Sequence, residues 1–222
     1  MNLRDREATP EQVKATVEAI CARVAQKMAT KDEPRPERSA AERHVETMEK
    51  LGVPLRFHAA TFATSRPLPA LVRARQFVET DLARRRALVL CGEAGAGKTH
   101  AAVCALVAAA PLGRRFRYWG DVVGILLEGG PARRELLDLL QTVPLLVLDD
   151  LGVEPTRTGG HVESYLDRLV YRREADCLPT IITTNLTPEA FAARYSERIV
   201  DRLRGWGEVF AVAGEGLRRG DE

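Results

Sequence analysis

From about residue 55 onward, the hydrophobic residues of the chain fall into short unbroken runs that alternate with amphipathic stretches. Unbroken apolar runs are typical of strands that are buried on both faces, whereas apolar residues three and four positions apart predict helices. The predicted strands are ALVLCG, RFRYWG, LLVLDDLG, PTIITTN and EVFAVAG. Because helices are predicted between them, the sequence indicates an α/β fold with a parallel sheet that helices cover on both faces.

The helical pattern occupies several stretches between these strands. They are residues 68–86, 98–110, 121–130, 132–143, 161–175 and 188–207. The third and fourth are divided by Gly129, Gly130 and Pro131, residue types that interrupt helices. The last stretch is predicted as one continuous helix with an arginine-rich end.

The N-terminal part of the chain differs in character from the rest. A helix is predicted from Thr9, the candidate N-cap, with Pro10 at its first position. Its apolar residues recur at helical spacing and form one stripe: Val13, Val17, Ile20, Val24 and Met28. A charged segment with two prolines, residues 30–39, is typical of a linker. Residues 40–52 predict a second short helix.

Two short helices bury little surface by themselves. They either dock on the main domain or present the apolar stripe to another protein. We favour the second alternative, with residues 1–52 as a helical partner-binding segment with a linker and residues 53–222 as the α/β domain.

The composition is that of an ordinary globular protein, with 45% hydrophobic and 29% charged residues. The longest apolar tract, residues 103–111, is far shorter than the ~20 residues that a membrane-spanning helix needs. The first residues lack the apolar core of a signal peptide, so we expect a cytoplasmic protein without membrane association. The four cysteines form no C-x-x-C pair, which speaks against a zinc site or a disulfide framework. A net charge of +2 gives only weak support for a nucleic-acid partner.

A glycine-rich segment lies between the first predicted strand and the helix after it. It matches the P-loop pattern G-x-x-x-x-G-K-S/T in full. The expected nucleotide-binding residues are Gly92, Glu93, Ala94, Gly95, Ala96, Gly97, Lys98, Thr99 and His100. Glycines let the backbone curl so that successive N–H groups point at phosphate oxygens, and the helix dipole adds to this. We expect Lys98 to reach the β- and γ-phosphates and Thr99 to bind Mg²⁺.

Polar side chains end two further predicted strands. Asp149 and Asp150 close the strand LLVLDD, and Asn185 closes PTIITTN. Ligands bind at the carboxyl ends of strands in an open parallel sheet. We therefore expect Asp149 to hold Mg²⁺, Asp150 to orient or deprotonate the attacking water, and Asn185 to position that water. The alternative for Asn185, an N-cap of the next helix, is weaker because Thr187 is better placed for it.

The last helical stretch carries Arg198 and Arg202 four residues apart, on one helix face. Arginines in such positions are commonly surface charges. An arginine that reaches the nucleotide of a neighbouring subunit would instead stabilise charge in the transition state. The spacing alone leaves both alternatives open.

The order of these motifs resembles that of the AAA+ ATPases of the DnaC/IstB type. These are bacterial and phage replicative-helicase loaders and the helper ATPases of certain transposons. The resemblance rests on the P-loop and on the phrases LLVLDDLG, LPTIITTNL and ERIVDRLRG. The phrase RFHAATFA is similar to the R-F-x-x-x-T-F lead-in of the family. The resemblance covers roughly residues 57–212. The DDLG and TTNL phrases are more specific than the P-loop, which many unrelated folds share.

The resemblance implies a five-stranded parallel sheet of order 5-1-4-3-2, ATP bound between subunits, and assembly of a homo-oligomer on DNA. It implies that Asp149 and Asp150 are the Walker B acids and that Asn185 is the sensor-1 residue. Arg198 is the first choice for the arginine that acts in trans, and Arg202 the second.

The resemblance also places a single-stranded DNA-binding element at about residues 128–142, where Arg133 and Arg134 could meet phosphates or simply be solvated. Two departures from the AAA+ pattern stand out. No α-helical lid is expected after the last strand; helicase loaders of this type commonly lack one. Asp150 takes a position where many AAA+ proteins have glutamate.

Three functions are compatible with this pattern. The favoured one is an ATPase that loads a replicative helicase, with ATP and Mg²⁺ as cofactors and single-stranded DNA and the helicase as partners. The second is an IstB-like transposition helper that coats duplex DNA and delivers a transposase. The third is a nucleotide-switched interaction module with little turnover.

Overall fold

The computed structural model of the protein describes residues 39–110, 112–155 and 160–213. The chain divides into two compact units, residues 1–43 and 44–222, and the sheet belongs to the second unit. The predicted helix that starts at Thr9, with its apolar stripe, lies outside the described residues.

Five strands form one sheet. They are β1 (Ala87–Cys91), β2 (Arg114–Tyr118), β3 (Leu145–Asp149), β4 (Thr180–Thr184) and β5 (Gly207–Ala211). The spatial order is β2-β3-β4-β1-β5, and every pairing is parallel. Counted from the opposite edge, this is the predicted order 5-1-4-3-2, so the fold class and the strand order are confirmed. The carboxyl ends of β1, β4 and β3 consequently lie side by side along one edge.

Helices surround the sheet in the order that the sequence predicted, with one exception described below. They are α1 (Ala40–Leu51), α2 (Pro69–Gln76), α3 (Lys98–Ala108), α4 (Trp119–Glu128), α5 (Gly130–Thr142), α6 (Gly160–Ala175), α7 (Pro188–Arg194) and α8 (Glu197–Trp206). A 3₁₀ turn, Leu55–Phe57, follows α1, and a π-helical turn, Phe77–Asp81, extends α2. No helix of the described ranges is both long enough and apolar enough to cross a membrane.

The sheet separates two hydrophobic cores because alternate residues of each strand point to opposite faces. Leu88 and Leu90 of β1 pack with α2 and α3 on one face. Val89 and Ile182 pack on the other face with buried residues of α4 to α8. All five residues of β1, β3 and β4 are buried, which explains the apolar runs of β1 and β3. The three threonines of β4 are buried because their hydroxyls are hydrogen-bonded. The alanine-rich α3 is buried along most of its length, so its small side chains bring the P-loop helix close to the sheet.

The second helix of the predicted N-terminal segment is observed as α1. Met48 and Leu51 are 1% and 6% exposed and belong to the same core cluster as Leu88. From residue 44 onward this helix therefore docks on the main domain, which is one of the two alternatives left open by the sequence.

The predicted continuous helix over residues 188–207 is wrong: the structure has two helices, α7 and α8. Tyr195 and Ser196 between them have extended backbones, with ψ of 154° and 148°. The Tyr195 hydroxyl donates to Glu154 Oε1 at 2.7 Å, and the Ser196 N–H donates to Glu163 Oε1 at 2.8 Å. These bonds to distant carboxylates outweigh the local helix propensity.

Glu154 is itself buried and lies in the segment that follows β3. Its Oε2 accepts from the Gly152 N–H at 3.1 Å, and its main-chain carbonyl accepts from the Arg194 guanidinium. The same guanidinium lies 3.2 Å from Glu154 Oε1. Glu154 thus joins the loop after β3 to the break between α7 and α8.

Arg173 of α6 is a second buried anchor, with 1% of its surface exposed. Its guanidinium donates to the carbonyl oxygens of Leu140, Val143 and Pro179 at 2.8–2.9 Å and to Thr180 Oγ1 at 2.7 Å. Carbonyls in the last turn of a helix lack intrahelical donors. Burial lowers the pKa of this guanidinium, which joins the end of α5 to the start of β4.

We expect Arg173→Leu to lower the free energy of unfolding by about 3 kcal/mol or more, because three interior carbonyls lose their donors. The matched control is Arg172→Leu. Arg172 is exposed and pairs with Asp176 on the surface, so its loss should cost less than about 0.5 kcal/mol. Urea unfolding followed by circular dichroism measures both values, and equal losses would contradict the anchor role.

Candidate functional site

The glycine-rich segment forms a loop between β1 and α3. Gly97 is the N-cap of α3 and has a left-handed backbone with φ of 81°. A Cβ at Gly97 would lie 3.2 Å from Leu68 Cδ1, and a Cβ at Gly92 would lie 2.7 Å from the Val212 carbonyl oxygen. Side chains are therefore excluded at Gly92 by close packing and disfavoured at Gly97 by its backbone conformation.

Lys98 lies in the first turn of α3 and is 5% exposed. Its Nζ donates to the carbonyl oxygens of Gly92 and Glu93 at 2.8 and 2.7 Å and to Asn185 Oδ1 at 3.0 Å. Burial lowers the pKa of Lys98, while the charges of Asp150 and Asp149 act in the opposite direction. The ammonium is thus placed between the P-loop and the end of β4.

Asp149 and Asp150 follow one another at the end of β3, and Thr183 of β4 positions both. Thr183 Oγ1 donates to Asp149 Oδ1 at 2.7 Å and accepts from the Asp150 N–H at 2.9 Å. The contact arises from the strand register, in which Leu148 lies opposite Ile182. Asp150 has φ of 63°, a conformation that costs energy in most non-glycine residues and is enriched at functional sites. Sequence reasoning overlooked Thr183, although it belongs to the TTN phrase.

Asn185 connects the two charged groups. Its Nδ2 donates to Asp150 Oδ1 at 2.5 Å while its Oδ1 accepts from Lys98. The cap of α7 is Thr187, whose Oγ1 accepts from the Ala190 N–H at 3.2 Å, as the sequence predicted. The amide of Asn185 is therefore available to the cleft and does not cap the helix.

A cleft of about 610 Å³ opens above these residues. Most of the predicted site residues line it: Ala94, Gly95, Gly97, Lys98, Thr99, His100, Asp149, Asp150 and Asn185. Gly92, Glu93 and Ala96 belong to the loop but do not form the wall of the cleft. The wall also includes residues to which the sequence assigned no role at the site, among them Arg56 of the lead-in phrase RFHAATFA, Tyr118 and Asp121.

The carboxylate of Asp149 is a buried negative charge of the cleft, with the residue 5% exposed. Burial raises the pKa of Asp149, and hydrogen bonds from Thr183 and Thr99 counteract part of this shift. Thr99 and Asp149, the two residues predicted to hold Mg²⁺, line the same cleft. Their hydroxyl and carboxylate are the kinds of oxygen ligand that this ion prefers.

Arg198 and Arg202 lie in another place, a groove of about 360 Å³ formed with Ser164, Asp167, Arg168 and Tyr171. Arg202 pairs with Glu174 at 2.7 Å and stacks on the Tyr171 ring at 4.7 Å. Arg198 is exposed, and the described residues offer it no hydrogen bond or ion pair. The structure thus does not bring Arg198 to the P-loop of its own chain.

The predicted DNA-contacting arginines also lie outside the cleft, on α5. Arg133 is half-buried, with its guanidinium 5.9 Å from the centre of the Tyr165 ring. Arg134 is exposed.

A family model for IstB-like ATP binding proteins matches residues 8–222, which is nearly the whole chain. The chain belongs to this family. Among curated relatives, it is similar to the replicative helicase loader DnaC of Escherichia coli (strain K12), with 28% identity over 141 residues. That match covers 61% of this chain and 57% of DnaC, so the chain spans little more than half the length of that relative.

Solved structures agree with membership of this family. A crystal structure of the DnaC helicase loader matches with a TM-score of 0.61 and 26% identity, over 72% of this chain and all of that one. The replication initiator DnaA bound to AMPPCP and single-stranded DNA matches with a TM-score of 0.61 over 71% of this chain and 50% of that chain. At 18% identity, the second match shows the fold alone. The resemblance to DnaC/IstB-type AAA+ proteins is confirmed.

We expect Asp149→Asn to raise the melting temperature of the protein at neutral pH, because it removes a buried charge while keeping an oxygen that can accept from Thr183. A gain of about 2–4 °C would correspond to roughly 1 kcal/mol. The control is Asp138→Asn on the exposed face of α5, which should change little.

The stabilisation by Asp149→Asn should depend on pH. A carboxyl whose pKa is higher in the folded state makes the wild-type free energy of unfolding fall as pH rises through the interval between the two pKa values. The advantage of Asp149→Asn should therefore be largest above the folded-state pKa and shrink in acid. Thermal melts at pH 4 to 8 test this, and a constant difference across that range would contradict it.

Proposed function

We propose that the chain binds ATP with Mg²⁺ in this cleft and hydrolyses it. Thr99 and Asp149 hold the ion, and Lys98 binds the β- and γ-phosphates. Mg²⁺, when bound, neutralises charge that develops on the phosphate oxygens. Asp150 orients or deprotonates the attacking water, and Asn185 positions it against the γ-phosphate. The observation that carries this proposal is the chain of hydrogen bonds from Lys98 through Asn185 to Asp150.

Hydrolysis in this proposal is completed by a second copy of the chain. Arg198 is exposed, has no ion pair among the described residues and lies in a groove apart from the cleft. These features support an arginine that reaches the nucleotide of a neighbouring subunit. Arg202 is the weaker candidate because Glu174 and Tyr171 hold it.

The biological role that we infer is the loading of a replicative helicase by a cytoplasmic homo-oligomer on single-stranded DNA. The similarity to DnaC supports it. Residues 1–52 are the proposed helicase-binding segment, of which the part from residue 44 onward packs on the main domain. Arg133 and Arg134 of α5 are the proposed phosphate contacts. The second candidate, a transposition helper that acts on duplex DNA, is supported by the match of the IstB-like family to residues 8–222.

The two candidates predict different complexes of the full chain. With Mg²⁺ and ATP, a helicase loader should co-elute with the replicative helicase of its source organism and bind single-stranded oligonucleotides more tightly than duplex. Lys98→Ala should weaken ATP binding by about 10-fold or more, because a charge-assisted contact to phosphate is lost. Size-exclusion chromatography and fluorescence anisotropy measure these properties.

The result that would overturn the loader assignment is no helicase complex together with tight, ATP-dependent coating of duplex DNA. That result would favour the transposition helper. Full ATP binding by Lys98→Ala would contradict the assignment of the cleft itself.

The trans role of Arg198 predicts a complementation effect. Arg198→Ala should bind ATP normally but hydrolyse it about 1,000-fold more slowly or worse, the effect typical of arginines that act on a transferring phosphate. Asp150→Asn should also be inactive, because its own cleft is impaired. Mixing the two should restore part of the activity, since the intact cleft of one subunit meets the intact Arg198 of the other.

Steady-state phosphate release from the separate and mixed variants measures this effect. Arg204→Ala, an exposed arginine of the same helix, serves as the matched control. Unaltered hydrolysis by Arg198→Ala would remove it from the site, and absence of recovery in the mixture would contradict action between subunits.

A further inference from the structure

Arg56 is a cation of the cleft that neither the P-loop motif nor the strand-end motifs include. It lies in the 3₁₀ turn Leu55–Phe57 between α1 and α2, far from the P-loop in the sequence. The structure nevertheless places it on the cleft wall with Lys98, Thr99 and Asp149.

The turn that carries Arg56 is fixed against the P-loop helix. The Arg56 guanidinium lies over the Phe57 ring, 4.6 Å from its centre. That ring meets the ring of His100 edge-on, with 6.3 Å between centres. His100 follows Lys98 and Thr99 in α3, and its Nε2 is 2.6 Å from Ser65 Oγ. The ring contact of Phe57 therefore places the turn, and with it the exposed Arg56, beside the first turn of α3.

Arg56 is a positive charge in a cleft whose charged side chains are mainly carboxylates. Asp121, Asp149 and Asp150 line the cleft, against Lys98 as the other permanent cation. ATP would add further negative charge to this acidic surface. Arg56 is near enough to Asp149 to help lower the pKa of that carboxyl. No carboxylate among the described residues forms an ion pair with Arg56, so its guanidinium, which carries five N–H donors, is free to bind an anion.

We propose that Arg56 contacts the γ-phosphate of ATP within its own subunit and makes the cleft prefer ATP over ADP. This inference rests on the proposed function of the cleft. In the proposed function, the metal and the terminal phosphate bind at Asp149. Arg56 is near enough to Asp149 to reach the same phosphate. A planar guanidinium stacked on an aromatic ring is well suited to bidentate binding of phosphate.

The test compares equilibrium binding of ATP and ADP, so it does not depend on turnover. Fluorescent ATP and ADP, the first in a non-hydrolysable form, are titrated with Mg²⁺ into wild type, Arg56→Met and Arg56→Lys. Arg56→Met keeps a flexible, unbranched stem and removes the charged guanidinium. The control is Arg84→Met, an exposed arginine in the turn before β1, at the opposite end of the strands. Thermal melts of each variant verify folding.

We expect Arg56→Met to weaken ATP binding by about 10-fold or more and ADP binding by less than about threefold, which corresponds to one charge-assisted hydrogen bond. Arg56→Lys should fall between wild type and Arg56→Met, and Arg84→Met should match wild type. An unchanged preference for ATP in Arg56→Met would overturn the inference and leave the proposed function intact. Equal weakening of ATP and ADP would overturn it too, because it would place the contact on a group shared by both nucleotides.

Failure of the wild-type protein to bind either nucleotide is a separate outcome. It would overturn the proposed function and, with it, the assignment of Arg56. The ratio of the two affinities and the wild-type affinity itself therefore distinguish the two failures.

Discussion

The position of β4 between β1 and β3 is the constraint on which the candidate site depends. Because β4 lies there, Asn185 at its end can accept from Lys98 on one side and donate to Asp150 on the other. Thr183, two residues earlier, holds the backbone and side chain of the acid pair. A parallel sheet with these strands in another order would separate the groups by a strand width of about 4.8 Å for each position moved.

Two charged groups of the cleft, Lys98 and Asp149, are buried. Burial lowers the pKa of Lys98 and raises that of Asp149, and both shifts oppose ionisation of the group concerned. Folding therefore tolerates an unfavourable electrostatic contribution here, which an ion-bound triphosphate is suited to offset. The two apolar cores on either side of the sheet make this tolerable, since three central strands are buried along their whole length.

The local patterns of the chain were enough to predict the strands and most of the residues that line the cleft. The order of the strands came from the family resemblance. Unbroken apolar runs and the P-loop spacing are short-range features. The remaining features depend on contacts between distant segments. The break at Tyr195 comes from Glu154, and the placement of the acid pair comes from Thr183. The cleft position of Arg56 comes from the ring contact between its neighbour Phe57 and His100. No pattern within any one of these segments indicates its partner.

The hydrogen bonds of Glu154 couple two separate parts of the structure. One carboxylate and its backbone hold both the loop that follows Asp150 and the corner from which α8 departs. A shift of that loop must either break these bonds or carry the whole helix with it. Displacement of the acid pair and displacement of α8, the helix that carries Arg198, are therefore coupled through the hydrogen bonds of one residue, Glu154.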